Sequence, residues 1–133
     1  MAFYSYVAFV TSKEGEAAFL EAVKILDEPV REGVQYLLRT TNRNAACDDD
    51  TLRIWGPIIW YDEHEEVQFF KACVQENCDE AYLTKLTPGD YGTHEENFGS
   101  YLENAFALTT DTSFFYYEDG KPKSTALMAY DDK

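Results

Sequence analysis

The chain has 133 residues, of which 45% are hydrophobic and 16% aromatic, so it is long enough to bury the core of one globular domain over residues 1–133. Ten Tyr, nine Phe and two Trp are too many large rings for a disordered, solvated chain. The formal net charge of -14 argues against a protein that binds nucleic acid or anionic lipid directly, because phosphate contacts come from Lys and Arg.

The first part of the chain predicts a strand, a helix and a second strand. Residues 3–10 are rich in aromatic and β-branched side chains and predict a strand. A capping-box pattern at Thr11 predicts a helix that ends before Pro29, because the residue before proline is disfavoured in the α region. Residues 34–40 then predict a strand, and residues 41–50, rich in Asn and Asp, predict a loop.

An apolar stretch at residues 51–61 opens a second strand-helix-strand unit. Residues 52–55 and 58–61 predict strand, with a bulge, bend or edge position at Gly56-Pro57, since proline cannot donate to a ladder. A second capping-box pattern predicts a helix from Asp62 with an apolar face that includes Phe70, and Asn77 suits its end. Residues 81–86 predict the strand that completes the unit.

The remaining residues predict loops and a hairpin. Residues 87–99, with a proline and three glycines, predict a long exposed loop. Residues 101–109 and 112–117 predict a hairpin around a turn at residues 110–111, and residues 118–123 predict a surface turn. Residues 126–130 predict a short edge strand.

These elements predict an α+β fold. Our first choice is a ferredoxin-like sandwich built from two strand-helix-strand units plus a C-terminal hairpin, with two helices on one face of an antiparallel or mixed sheet. A crossover topology with a different strand order is the alternative. There is no charged-then-apolar leader and no run of the ~20 apolar residues that span a bilayer, so we expect a soluble, cytoplasmic protein without membrane contact.

The negative charge is concentrated in the middle of the sequence. Residues 1–47 hold six acids and five bases, and residues 104–133 hold five acids and three bases. Residues 48–103, called the acidic segment below, hold fourteen acids and only three bases. We therefore expect the functional surface to lie in this segment.

Motifs for catalysis, metals and cofactors are weak. The tripeptide His-Glu-Glu occurs at His64 and at His94, but neither copy has the spacing that places two histidines on one helical face. Three consecutive acids from Asp48 lack the spaced ligands and the glycine of a calcium loop. Cys47, Cys73 and Cys78 fit neither a disulfide framework nor a zinc site and are expected to be reduced. We expect no metal, no cofactor and no enzymatic activity; a metal-dependent enzyme would require the two histidines to converge.

The sequence thus predicts a small acidic intracellular inhibitor or interaction protein whose partner is a basic protein, such as a nuclease or another nucleic-acid-binding complex. Its size and charge resemble those of phage and mobile-element anti-restriction and anti-CRISPR proteins that mimic nucleic acid; the resemblance involves no shared motif. The alternative is a ferredoxin-like oligomeric interaction or small-ligand-binding module in which acid serves solubility.

The predicted partner-binding residues are acids of the acidic segment together with one aromatic anchor. Trp60 and Tyr61 should point to opposite faces of a strand, so that at least one ring could be exposed; core packing is the other interpretation. The full set is Asp48, Asp49, Asp50, Trp60, Tyr61, Asp62, Glu63, Glu65, Glu66, Asp90, Glu95 and Glu96.

Overall fold

The protein combines three helices with a five-stranded and a three-stranded antiparallel sheet among the residues that the computed structural model describes, which are 4–89, 92–110 and 113–125. The elements in chain order are β1 (Ser5–Thr11), α1 (Lys13–Lys24), α2 (Glu28–Arg39), β2 (Arg43–Cys47), β3 (Asp50–Ile58), α3 (Glu65–Glu76), a 3₁₀ turn (Cys78–Glu80), β4 (Ala81–Gly89), β5 (Gly92–Gly99), β6 (Thr109–Thr110), β7 (Phe114–Glu118) and β8 (Lys121–Ser124). The predicted α+β class is confirmed.

The larger sheet has the strand order β2-β3-β1-β4-β5, and each neighbouring pair is antiparallel. The central strand β1 pairs with β3 through Val7 and Trp55 and with β4 through Val7 and Lys85. Residues from Val7 to Val10 are all buried, whichever way they point. A strand covered on both faces has a continuous apolar sequence rather than an alternating one, which explains the run at the start of the chain.

Two apolar cores lie on opposite faces of this sheet. One contains Val7, Phe9, Trp55 and Leu83 of the sheet packed against the helices, through residues such as Phe19, Val34 and Phe70. The other contains Ala8, Val10, Leu52 and Ile54 packed against the C-terminal part of the chain, through Phe106, Phe114 and Tyr116. The sheet is therefore a middle layer between the helices and the segment that carries the smaller sheet.

The first helix begins one residue later than the capping-box pattern predicts. Ser12 is the N-cap, and its hydroxyl oxygen accepts a hydrogen bond from the Gly15 amide at 3.0 Å. Thr11 is instead the last residue of β1, and its hydroxyl donates to Glu16 at 2.8 Å. The cap moves because Thr11 still belongs to the strand ladder and keeps an extended backbone.

The strand predicted at residues 34–40 is wrong, because α2 covers this region. Pro29 lies in the first turn of α2, where its missing N–H would have no helical partner in any case. Proline therefore separates two helices, and the first unit is strand-helix-helix-strand. The total is three described helices rather than the two predicted.

The predicted loops at residues 41–50 and 87–99 are also wrong, since both regions form hairpins. Strand β2 pairs with β3, and its two-residue turn, Asp48-Asp49, has φ values of 49° and 71°. Asp and Asn tolerate this left-handed conformation better than other non-glycine residues, so the acids fit the turn. Strand β5 pairs with β4, and most of its residues are polar because it lies at the edge of the sheet.

The second unit follows the prediction more closely. Strand β3 runs through Gly56-Pro57, whose peptide bond is cis, and its register against β1 shifts there, between the Val7–Trp55 and Ser5–Ile58 pairs, in agreement with the predicted irregularity. Helix α3 begins at Glu65 rather than near Asp62, with Phe70 buried, and it ends at Asn77 as predicted. The strand predicted at residues 81–86 is confirmed as β4 and extends to Gly89.

The C-terminal hairpin differs from the prediction in its members. Most of residues 101–109 are irregular, and β7 pairs with β8 around the Asp119-Gly120 turn as well as with the short β6. The turn predicted at residues 110–111 lies partly outside the described residues, and the strand predicted at 126–130 lies wholly outside them. None of the helices in the described part of the chain is long and apolar enough to cross a membrane.

Candidate functional site

The described acids among those predicted to bind a partner lie towards two opposite ends of the larger sheet. Strand β3 has nine residues and so spans roughly 30 Å. The Asp48-Asp49 turn precedes its first residue, whereas Asp62 follows its last residue by four positions. The acids of the acidic segment therefore do not form one continuous surface, and the two ends can be considered separately.

The three consecutive aspartates have two different roles. Asp48 and Asp49 are exposed at the tip of the β2–β3 hairpin. Asp50 is only 5% exposed, and its carboxylate accepts hydrogen bonds from the Tyr101 hydroxyl and the Ala105 amide, both at 2.7 Å. The hydrogen bond to Asp50, together with burial, raises the pKa of Tyr101 to about 12. Asp50 thus anchors the C-terminal segment to the sheet and is not part of an exposed binding surface, contrary to the prediction.

Acids from separate segments converge around the Asp48-Asp49 turn. Partial burial, and then the charges of Asp48, Asp119 and other nearby acids, raise the pKa of Cys47. The charges of Glu80 and Glu14 likewise contribute to the raised pKa of Tyr101, which contacts Asp50 beside the turn. We call this group the acidic end; it comprises Glu14, Asp48, Asp49, Asp79, Glu80 and Asp119.

Four members of the acidic end were missed by sequence reasoning. Asp79 and Glu80 lie in the 3₁₀ turn, where Asp79 accepts from the Ser100 hydroxyl at 3.1 Å and Glu80 accepts from the Ser12 hydroxyl. Glu14 lies in the first turn of α1, and Asp119 lies in the β7–β8 turn. Their proximity depends on the strand order, which no local pattern in the sequence specifies.

The opposite end of the sheet contains the predicted acids that flank α3. Asp62, Glu63 and Glu65 are exposed, and Glu66 is half-buried. A hydrogen bond from Lys71 lowers the pKa of Asp62. The Lys71 ammonium also lies 4.7 Å from the centre of the Phe98 ring. Acids in the first turn of a helix are stabilised by the partial positive charge of its N-terminus. Stabilisation of α3 therefore explains in part why Glu65 and Glu66 occur at these positions.

Glu95 and Glu96 point to opposite faces of β5 and cannot act as a pair. Glu96 forms an ion pair with Lys85 at 2.9 Å, and the hydrogen bond to Lys85 lowers its pKa. Glu95 accepts a hydrogen bond from the Asn97 amide at 2.6 Å. Asp90 lies outside the described residues.

All three bases of the acidic segment are engaged in internal ion pairs. Arg53 pairs with Glu16 at 2.5 Å, and the two lysines pair with Asp62 and Glu96. These cations are therefore paired with Glu16, Asp62 and Glu96, none of which belongs to the acidic end. They leave the exposed carboxylates of the acidic end without a pairing base from this segment.

The aromatic anchor predicted from Trp60 is not exposed. Trp60 is 2% exposed and packs against Trp55 and Phe70, with ring centres 6.0 and 5.4 Å away. Core packing, the other interpretation, is therefore correct for Trp60. Tyr61 is half-buried, with its ring centre 5.6 Å from that of His64.

A pocket of about 540 Å³ lies between α2, the end of β3 and the start of α3. Both tryptophans, Trp55 and Trp60, line it, and Tyr4 and Tyr36 stand at its rim with 55% and 59% of their surface exposed. Glu66 is the only acidic residue among its described lining residues. Sequence reasoning missed this pocket because its walls come from distant segments, one of which was predicted to be a strand.

Metal-ligating residues do not cluster in the described part of the chain. No group of three or more His, Cys, Asp and Glu side chains among these residues is arranged to hold a metal ion. His94 is 3.7 Å from Glu96 on β5, whereas His64 lines the pocket. The three cysteines are free, so the predicted absence of disulfides among them agrees with the structure.

Comparison of the chain with protein-family models, with curated proteins and with solved structures finds no significant match to any of them. The functional argument therefore rests on the geometry and charge described above.

Proposed function

We propose that the protein is a small acidic intracellular inhibitor that docks its acidic end onto a basic protein, such as a nuclease or another nucleic-acid-binding complex. The observation that carries this proposal is the placement of acids from four separate segments at one end of the larger sheet, where Thr11 pairs with both Thr51 and Ala81 and the Asp48-Asp49 turn joins β2 to β3. Nearby carboxylates repel one another, so their assembly at one end of a fold is electrostatically unfavourable unless a cationic partner compensates it.

The size of the acidic end supports competition with nucleic acid over a short distance. Duplex DNA carries about one charge per 1.7 Å of axis, so six carboxylates correspond to roughly 10 Å of duplex. Such a surface would occupy part of a basic groove and block it sterically, in the manner of the anti-restriction and anti-CRISPR proteins that the chain resembles in size and charge. Association would be accelerated by charge complementarity and weakened by salt.

We also infer a ferredoxin-like core, extended by β5 and by the C-terminal sheet. The order β2-β3-β1-β4, with all neighbours antiparallel and helices between β1 and β2 and between β3 and β4, supports this assignment. The arrangement leaves the β2–β3 turn and the start of β4 at the same end of the sheet.

Neutralising the turn tests the proposed function. In Asp48→Asn/Asp49→Asn, two charges are lost, whereas asparagine still tolerates the positive φ angles. The matched control is Glu63→Gln/Glu65→Gln, which removes two exposed charges from the opposite end. In affinity capture from host lysate at low salt, we expect the wild type and the control to retain a basic protein that elutes with rising salt. Equal retention by the Asp48→Asn/Asp49→Asn variant would contradict the proposal.

The alternative function is an oligomeric interaction or small-ligand-binding module in which acid serves solubility, and the pocket favours its ligand-binding form. In that case neutralising the turn leaves function intact. Sedimentation would separate the oligomeric form, because it predicts a defined assembly that does not dissociate at high salt.

A further inference from the structure

The pocket beside α2 has the size and the wall composition of a small-molecule site. Its volume of about 540 Å³ falls within the range of roughly 300–1,000 Å³ that is usual for such sites. Trp55 donates its indole N–H to the Leu37 carbonyl at 2.7 Å, so its polar atom is already satisfied. Trp55 is 1% exposed, so only a small apolar part of its ring reaches the pocket.

The rim of the pocket exposes unusually large apolar groups. Tyr4, Tyr36 and Ile59 have 55%, 59% and 38% of their surface exposed, and all three line the pocket. Large apolar side chains that are grouped around a concave surface mark binding sites more often than single exposed residues do. The exposed side chains at the rim therefore provide the apolar surface that a ligand entering the pocket would contact first.

The charge of the pocket selects the kind of ligand. Among the described residues that line the pocket, Glu66 is the only one with a full charge, and none is Lys or Arg. The Glu66 carboxylate forms no hydrogen bond or ion pair with any other described residue. Glu66 lies against α2 at Gly33, where an added Cβ would come within 2.5 Å of its Oε1 atom. The missing side chain at Gly33 therefore makes room for the Glu66 carboxylate at the edge of the pocket, where no described side chain pairs with it.

We propose that this pocket binds a small organic cation with an aromatic or similarly flat apolar body. The apolar body would contact the exposed rings of Tyr4 and Tyr36, whereas Trp55 and Trp60, at 1% and 2% exposure, line the pocket with little accessible surface. The ammonium or guanidinium group would pair with Glu66. Cations are attracted to the faces of Trp and Tyr rings, and a carboxylate strengthens the hydrogen bond that such a group donates. An anionic ligand would meet both Glu66 and the negative charge of the whole protein.

This inference is independent of the proposed function. The pocket lies at the end of the sheet opposite the acidic end, and none of its lining residues belongs to the acidic end. Neutralising Asp48 and Asp49 should therefore leave ligand binding unchanged. A failure of either proposal can be recognised without the other.

Intrinsic fluorescence tests the inference directly, because both tryptophans of the chain line the pocket. The full chain is titrated at pH 8, where imidazoles are ordinarily neutral, with 2-phenylethylammonium, 2-phenylethanol and phenylacetate. These probes share one ring and differ in charge. We expect saturable binding of the cation with a dissociation constant on the order of 1 mM or tighter, weaker binding of the alcohol and none of the anion.

Two variants, each of which replaces one carboxylate by a neutral amide, complete the test. Glu66→Gln should weaken binding of the cation roughly tenfold and leave that of the alcohol unchanged. Glu65→Gln removes the same charge from the same helical turn, but Glu65 does not line the pocket, so cation affinity should be retained. Equal affinity for all three probes, no saturable response to the cation, or equal effects of the two variants would overturn the inference.

Discussion

Arg53 and Glu16 form the most buried ion pair of the described structure. Their side chains are 8% and 18% exposed, and they share hydrogen bonds of 2.9 and 2.5 Å. Thr11 donates to the same carboxylate, and the guanidinium lies 5.6 Å from the centre of the Phe19 ring. The pair links α1 to the sheet, so one of the few bases in the acidic segment has a structural role.

Glu16→Gln should lower the free energy of unfolding by about 3 kcal/mol, because it leaves Arg53 partly buried without its counter-charge. The measurement is chemical denaturation of the variant and the wild type at pH 7. Glu21→Gln is the matched control in the same helix: Glu21 pairs with Lys24 in solvent, at 72% and 69% exposure, and its loss should have little effect. Equal destabilisation by both variants would refute a special role for the buried pair.

The contribution of Glu16 should depend on pH. Burial alone would raise its pKa, but the hydrogen bonds and charge of Arg53 outweigh burial, and the pKa in the folded state lies below the ordinary value of 4.5. The unfolded state therefore binds the proton more readily, and the contribution is complete above pH 4.5 and is lost as the pH falls through the folded-state pKa. Unfolding measured from pH 7 to pH 3 should show the difference between wild type and Glu16→Gln shrinking on acidification. A constant difference would be inconsistent with this assignment.

At the scale of secondary-structure elements, close contact between α1 and the 3₁₀ turn depends on Gly15. The Ser12 amide donates to the Glu80 carbonyl at 2.9 Å, and a Cβ at Gly15 would overlap that same carbonyl oxygen. The contact positions two members of the acidic end, Glu14 and Glu80. Residue 15 must therefore be glycine because the Glu80 backbone lies so close to it, although glycine weakens the helix.

Gly15→Ala should destabilise the protein by about 1–3 kcal/mol, because the overlap outweighs the gain of about 1 kcal/mol in helix propensity. Thermal unfolding monitored by circular dichroism measures the change. Gly89→Ala is a control in which the new Cβ would lie 3.3 Å from the Gly92 carbonyl oxygen, and a smaller loss is expected. A gain of stability in Gly15→Ala would show that the contact is looser than described.

The elements with a strong apolar pattern could be predicted from the sequence, and the others could not. Strands β1, β3 and β4 and helices α1 and α3 carry apolar residues that contact the core, which explains why the patterns found them. Helix α2 is clearly amphipathic, but Pro29 in its first turn was misinterpreted as a stop, so its apolar residues were assigned to a strand. Strands β2 and β5 lie at the edges of the sheet, where polar composition resembles that of loops.

The candidate sites could be predicted in part only. Exposure of Asp48 and Asp49 follows from local turn chemistry, whereas burial of Asp50 depends on Tyr101, which is 51 positions away. The pocket likewise depends on Tyr4, Tyr36 and Trp60 meeting in space. Such long-range contacts follow from strand order rather than from residue spacing.

At the scale of the whole molecule, the two ends of the sheet differ in chemistry. One end presents converging carboxylates around the β2–β3 turn, and the other presents an aromatic pocket with one uncompensated carboxylate. The bases of the acidic segment neutralise acids elsewhere on the fold. The proposed function therefore predicts that the net charge of -14 acts as a directional field rather than only as an aid to solubility.

The proposed function is tested most directly by the rate at which the protein associates with a basic protein retained in the affinity capture, measured as the salt concentration rises. The rate constant of the wild type should fall steeply with salt, and that of Asp48→Asn/Asp49→Asn should be roughly fivefold lower at low salt with a shallower salt dependence. Glu63→Gln/Glu65→Gln should retain a steep dependence. If the two double variants instead show the same rates and the same salt dependence, the acidic end does not guide the protein to its partner.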